Sequence, residues 1–214
     1  MKGYLPRPDQ LPSSMPHLRD GWGRRICRGI LRLCGWSVVG QFPDVARAVL
    51  IAAPHSSWWD GIWGLLVKVG IGADVKFMGK QELFAGPLGG LLRRLGGMPI
   101  DRSAAKGVVE QMIDQYRRRD AFWLGIAPEG TRKQVERWKS GFWHIAHDAG
   151  VPIVTACFNY PDKTIVIGPL FQTSDDMEAD LRRLRTFYAP FRGKHRNVDQ
   201  PGSGVERRSE EGGS

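Results

Sequence analysis

The chain has 214 residues, 42% of them apolar and 25% charged, with a formal net charge of +9. That composition fits one ordinary globular domain with its own core and leaves little room for a second. No run of eighteen apolar residues occurs, so nothing in the sequence reads as a bilayer-spanning helix. The basic excess calls for an anionic partner, and nucleic acid, an anionic membrane surface and a phosphorylated substrate all fit it.

Residues 1–20 are proline-rich and read as a flexible or extended N-terminal segment, too polar for the apolar stretch of a secretory signal. Residues 21–196 read as a single domain. It opens with a basic amphipathic helix over 21–36, where Trp22, Ile26, Ile30 and Leu33 recur at helical spacing and Arg24, Arg28 and Arg32 recur every fourth residue. Such a helix either lies in a membrane interface or packs on the domain by its apolar face. Trp36, Trp58, Trp59 and Trp63 crowd into the same third of the chain, and tryptophan suits a lipid–water boundary as well as a core.

Farther along, 48–53 is a buried strand and 58–69 a helix starting near Asp60. A strand over 73–78 precedes short helices broken at Gly86-Pro87. A short strand over 98–100, a helix over 104–118 and a buried strand over 122–127 come next. A helix over 140–149, strands over 151–158 and 164–167, and a closing helix over 174–191 complete the pattern. Strands alternating with helices predict an α/β fold: a central, mostly parallel or mixed sheet flanked by helices. Residues 197–214, rich in glycine, serine and charge, read as a disordered tail. Cys27, Cys34 and Cys157 show no paired framework, which favours a reducing, cytosolic setting.

His55 leaves the 48–53 strand, and Asp60 follows five residues later. A carboxylate on one imidazole nitrogen fixes the tautomer, so the other nitrogen can act as a general base. Arg102 stands directly after a short strand, where its planar fork suits a phosphate. Pro128-Glu129-Gly130-Thr131-Arg132 follows an apolar strand and reads as an anion-binding turn. Ser56 and Ser57 lack the surroundings of a nucleophile elbow. His144 and His147 share a helix face without a further acidic ligand, and no metal is expected.

His55–Asp60, Ile100-Asp101-Arg102, Pro128–Arg132 and Val151-Pro152-Ile153-Val154, in this order, resemble the glycerolipid (1-acylglycerol-3-phosphate) acyltransferase family over about residues 48–170. The resemblance implies that His55 is the catalytic base and Asp60 its orienter. It implies that Arg102, Glu129, Gly130, Thr131 and Arg132 hold the acceptor's phosphate, with Lys80 and Lys139 near substrate phosphates. Two positions depart from the family pattern: Gly97-Met98-Pro99-Ile100 is less aromatic than usual, and Thr155 replaces a second proline. The expected activity is O-acylation of a lysolipid, first of all 1-acylglycerol 3-phosphate to phosphatidic acid. The acyl group comes from acyl-CoA or acyl-carrier protein, and no cofactor is involved. A different lysolipid acceptor, such as lyso-ornithine lipid, is the alternative; a non-catalytic basic protein binding membrane or nucleic acid is a remote one. The expected setting is the cytoplasmic face of an anionic membrane, with no nucleic-acid partner.

Overall fold

A computed structural model describes residues 3–100, 107–130, 138–195 and 197–198, with only the backbone of Lys80 and Leu83. Seven strands form one sheet: β1 (Ser37–Val39), β2 (Arg47–Ala53), β3 (Val75–Lys80), β4 (Gly97–Ile100), β5 (Phe122–Ile126), β6 (Ile153–Asn159) and β7 (Thr164–Phe171). Their spatial order is β1-β7-β6-β2-β5-β3-β4. From β6 through β4 the strands are parallel, as strands joined by helical crossovers must be. β7 returns antiparallel to β6 after a tight turn, and β1 pairs parallel with β7. The sheet is therefore mixed, and β1 is a strand that the sequence pattern did not disclose.

Both faces of the sheet are covered, and strand alternation divides the core between them. Val49, Ile51, Phe122 and Leu124 face one layer with α5 (Val108–Arg117), α6 (Gly141–Asp148) and α7 (Met177–Tyr188). Ala48 and Trp123 face the other, with α1 (Trp22–Cys34) and α2 (Trp58–Ile71). The short helices α3 (Gln81–Ala85) and α4 (Gly89–Arg94) link β3 to β4, interrupted at Gly86-Pro87 as expected.

Both ends of the domain differ from expectation. Leu11 and Met15 are buried with the α1/α2 layer, and Tyr4 and His17 bridge to Val38 and Ala73. The N-terminal segment is held because its few apolar side chains close one end of that layer. At the other terminus Asn197 bridges to Arg192 and Val198 is buried in the opposite layer, so the fold continues past 196. The rest of the expected tail lies outside the described residues.

α1 is a helix, but its orientation reverses the packing alternative. Its apolar stripe points outward, with Trp22 78% and Leu33 89% exposed. The inward face uses arginines. Arg28 donates to the carbonyls of Leu5, Pro6 and Gly70, and Arg24 donates to Leu18 and pairs with Asp20. Of the three arginines assigned to lipid contact, only Arg32 is exposed, beside Arg25. Among the described residues no helix is long and apolar enough to cross a membrane.

Candidate active site

The five parallel strands bring their C-terminal ends to one edge, where α/β sheets present ligand-binding loops. β2 and β5 are neighbours there, with Ile51 opposite Ile126, so His55 and the Glu129 turn emerge side by side. Lys80 ends β3 opposite Ile100 on β4, placing the start of the Arg102 block at the same edge. Arg102, Thr131 and Arg132 lie outside the described residues.

After a cis Ala53–Pro54 peptide the chain turns into α2. Ser57 caps that helix, accepting from the Trp59 N–H, while Asp60 reaches back to accept from the Ser57 N–H at 2.8 Å. The same Asp60 oxygen, Oδ2, accepts from the Ser56 N–H at 2.7 Å and lies 3.3 Å from Nδ1 of His55. The five-residue spacing thus has a local cause: the helix cap folds the carboxylate back onto the residue that leaves the strand.

The Asp60 side chain is wholly buried, whereas that of His55 is 25% exposed. Burial alone pushes the Asp60 carboxyl up. Hydrogen bonds from His55, Tyr160 and the two serine N–H groups outweigh it and hold the group below its ordinary value. An ionised carboxylate only accepts, so His55 Nδ1 is the donor to it, and in the neutral imidazole Nε2 is the nitrogen able to take up a proton.

Glu129 is buried, and its Oε1 accepts from the His55 backbone N–H at 3.0 Å. The third block is therefore tied to the first through its carboxylate. Gly130 has φ +65, and a Cβ there would come within 2.7 Å of the Lys139 side chain. Lys139 is exposed, and its own N–H donates to the Pro128 carbonyl, so its backbone joins this turn. The Gly130 N–H closes the turn onto Ala127. The hydroxyls of Ser56 and Ser57 accept from the backbone N–H groups of His195 and Trp59. Both serines serve as local braces.

Sequence reasoning missed Tyr160, which follows β6 at the same edge and donates its hydroxyl to Oδ1 of Asp60. No local motif marks it, since it stands 100 residues from its partner. A cavity of about 370 Å³ opens beside His55 and Asp60 and runs between α2 and the sheet. Its walls include Leu50, Gly64, Leu65, Phe77 and Ile167, and Lys68 and Ile71 lie along it. From Asp60 to Ile71 the helix axis advances about 16 Å. Glycine at 61 and 64 keeps the α2 wall low. Elsewhere His147 stacks on Trp143 and His144 meets the same ring edge-on, which gives both histidines a packing role. Among the described residues no group of three potential ligands could hold a metal ion.

The arrangement can remove a proton from a group delivered to Nε2, next to an elongated apolar hole. The chain is 33% identical over 101 residues to the 1-acyl-sn-glycerol-3-phosphate acyltransferase of Escherichia coli (strain K12), covering 44% of this chain and 40% of that protein. It therefore spans about two fifths of that relative's length. The fold is similar to the crystal structure of the 1-acyl-sn-glycerophosphate (LPA) acyltransferase PlsC from Thermotoga maritima. The TM-score is 0.54 at 17% identity, over 76% of this chain and 74% of that one. The Acyltransferase family model matches residues 38–159, from β1 to the end of β6, with His55, Asp60 and the Glu129 turn inside the match. By that match over more than half its length, the chain belongs to the Acyltransferase family.

Proposed function

We propose that this protein transfers a fatty acyl group from acyl-CoA or acyl-carrier protein to the hydroxyl of a lysolipid, with 1-acylglycerol 3-phosphate as the preferred acceptor. The carrying observation is the His55–Asp60 pair opening onto an apolar cavity long enough for a chain. His55 Nε2 takes the acceptor's hydroxyl proton as its oxygen attacks the thioester carbon. The carbon–sulfur bond then breaks, and the departing thiolate recovers the proton from His55. Asp60 holds the ring and stabilises the imidazolium between those steps. An acyl chain lies in the cavity beside α2. The phosphate falls to the Arg102 and Thr131–Arg132 blocks with Lys139.

The enzyme works at the cytoplasmic surface of an anionic membrane. The outward stripe of α1 supports this reading, together with exposed Trp58, Trp59 and Ile62 at the start of α2, immediately after the proposed base. The charge serves that surface and the phosphate, not nucleic acid.

The test is acyl transfer to a panel of lysolipids that includes 1-acylglycerol 3-phosphate, its dephosphorylated form and lyso-ornithine lipid, with products resolved by mass. His55→Ala should lower the rate by about 10²–10⁴-fold without unfolding the protein. Turnover by folded His55→Ala within a few-fold of wild type would end the mechanism. Equal rates with phosphorylated and dephosphorylated acceptors would end the assignment of the head group.

A further inference from the structure

We propose that Tyr160 is a positioning residue for the dyad, setting the direction and strength of Asp60 through a hydrogen bond to the carboxylate oxygen opposite His55. The inference rests on the reading above and concerns how that base is tuned.

The bonds around Asp60 divide by oxygen. Oδ2 serves His55 Nδ1 and the N–H groups of Ser56 and Ser57. Oδ1 receives the Tyr160 hydroxyl. Asp60 is 1% exposed, so bulk water does not solvate Oδ1. The tyrosine is itself fixed from several sides. Its backbone N–H donates to the Arg192 carbonyl at 2.9 Å, and its carbonyl accepts from the Lys163 N–H at 3.1 Å. Its ring meets Trp36 edge-on at 5.1 Å, and Trp36 stacks on Trp63 of α2 at 4.9 Å. Burial, reinforced by the Asp60 charge, pushes the Tyr160 hydroxyl above the ordinary tyrosine range. It therefore remains a donor at every pH at which the imidazole titrates.

Other residues with titratable side chains stand on the surrounding elements, and their identified contacts go elsewhere than to the Asp60 carboxylate. Glu129, beyond β5, accepts from the His55 backbone N–H. Asp162, in the β6–β7 turn, accepts from Asn159, and Lys163 donates to the Cys34 carbonyl. In the C-terminal segment Lys194 lies over the Trp59 ring, the Arg192 carbonyl takes the Tyr160 N–H, and the His195 N–H bonds Ser56.

A carboxylate that accepts a hydroxyl hydrogen on one oxygen presents less charge through the other. Tyr160 therefore moderates the pull of Asp60 on His55 while preventing rotation of the carboxylate. Tyr160→Phe keeps the ring and its packing and removes only the hydroxyl. It should lower kcat about tenfold, with little change in KM. The acid limb of kcat/KM should move up by about half a pH unit or more, because a more strongly charged Asp60 stabilises the imidazolium. The His55 ring, followed by ¹⁵N NMR in the substrate-free protein, should titrate higher by the same amount. In an Asp60→Asn background Tyr160→Phe should add almost nothing.

An unmoved His55 titration overturns the inference, whether activity is unchanged or falls in parallel at all pH values. If Tyr160→Phe does not fold, 3,5-difluorotyrosine at position 160 decides the matter. It preserves the packing and strengthens the donor, so the His55 titration must move down, and no movement overturns the inference. The NMR titration requires no turnover. A wild-type protein that acylates no lysolipid therefore refutes the proposed function and leaves the role of Tyr160 separately decidable.

Discussion

α1 and α7 are nearly equal in length, and both have an apolar stripe and an arginine-rich side, yet they are mounted oppositely. α7 buries Leu184 and Tyr188 in the core and turns most of its charge to solvent. α1 buries Leu31 alone, shows Trp22, Ile26, Ile30 and Leu33, and draws Arg24 and Arg28 inward onto backbone carbonyls. Periodicity identifies a face, but the available partners decide where that face points. For α7 the partner is the sheet. Beneath α1 lie the carbonyls of Leu5, Pro6, Leu18 and Gly70, and the guanidinium groups of Arg24 and Arg28 reach in to satisfy them.

The sharpest way to break this comparison is to truncate one residue on each helix. Tyr188→Ala removes a fully buried ring whose hydroxyl donates to Ile51 and accepts from Ala156. It should destabilise the fold by about 3–5 kcal/mol in urea titration. Leu33→Ala on α1 should stay within about 0.5 kcal/mol of wild type in the same titration. Similar losses for both would mean that α1 is packed as α7 is.

α2 offers a third mode, an inward lysine that can lose its charge. Lys68 is buried, donates to the Val75 and Leu95 carbonyls, and is pushed down by burial to about 8. Its folded state releases the proton earlier than the unfolded chain does. Its contribution to stability therefore rises as pH increases from about 8 toward the ordinary lysine value, by up to roughly 3 kcal/mol. The stability of wild type relative to Lys68→Met, followed by urea midpoints, should rise over that window. A constant difference would show that Lys68 titrates normally.

Arg28→Met keeps the stem and deletes the donors. It should lose roughly 1.5–3 kcal/mol of stability. No loss would return Arg28 to the set of lipid-facing cations.

The smallest effects belong to the outer side of α1. Arg25→Glu with Arg32→Glu should weaken co-sedimentation with anionic vesicles by roughly 1 kcal/mol per site, more at low salt than at high, while leaving the denaturation midpoint in place. Reversing Arg24 or Arg28 is not an equivalent test, because both hold the fold together. Unchanged sedimentation of the double variant would leave the outward stripe without its electrostatic partner.

What could be read in the sequence was mostly local. The helices and parallel strands announced themselves by period and apolar runs. His55 and Asp60 were readable as a pair because the helix cap that joins them spans only six residues. Features built by distant contacts were not. Tyr160 reaches Asp60 from beyond β6, and β1 is a three-residue strand recognisable chiefly by its pairing with β7. The N-terminal segment looks flexible by its prolines, yet Leu11 and Met15 anchor it. Glu129 read as part of an anion-binding turn, but its link to the His55 backbone depends on β2 and β5 being neighbours. The inward arginines depend likewise on carbonyls that no local window of sequence reveals.

The cap shared by α2 and the dyad also bears on the order in which this corner assembles. The contacts of Asp60 with Ser56 and Ser57 close loops of three and four residues, whereas its contact with Tyr160 closes one of 100. Short loops lose little chain entropy on closure, so the His55 end of the carboxylate can form along with the first turn of α2, and the tyrosine bond waits for β6 to dock. Amide exchange should register that division. The Ser56 and Ser57 N–H groups should open together with α2, while the Tyr160 N–H, held by Arg192, should exchange only as the sheet edge and C-terminal segment come apart.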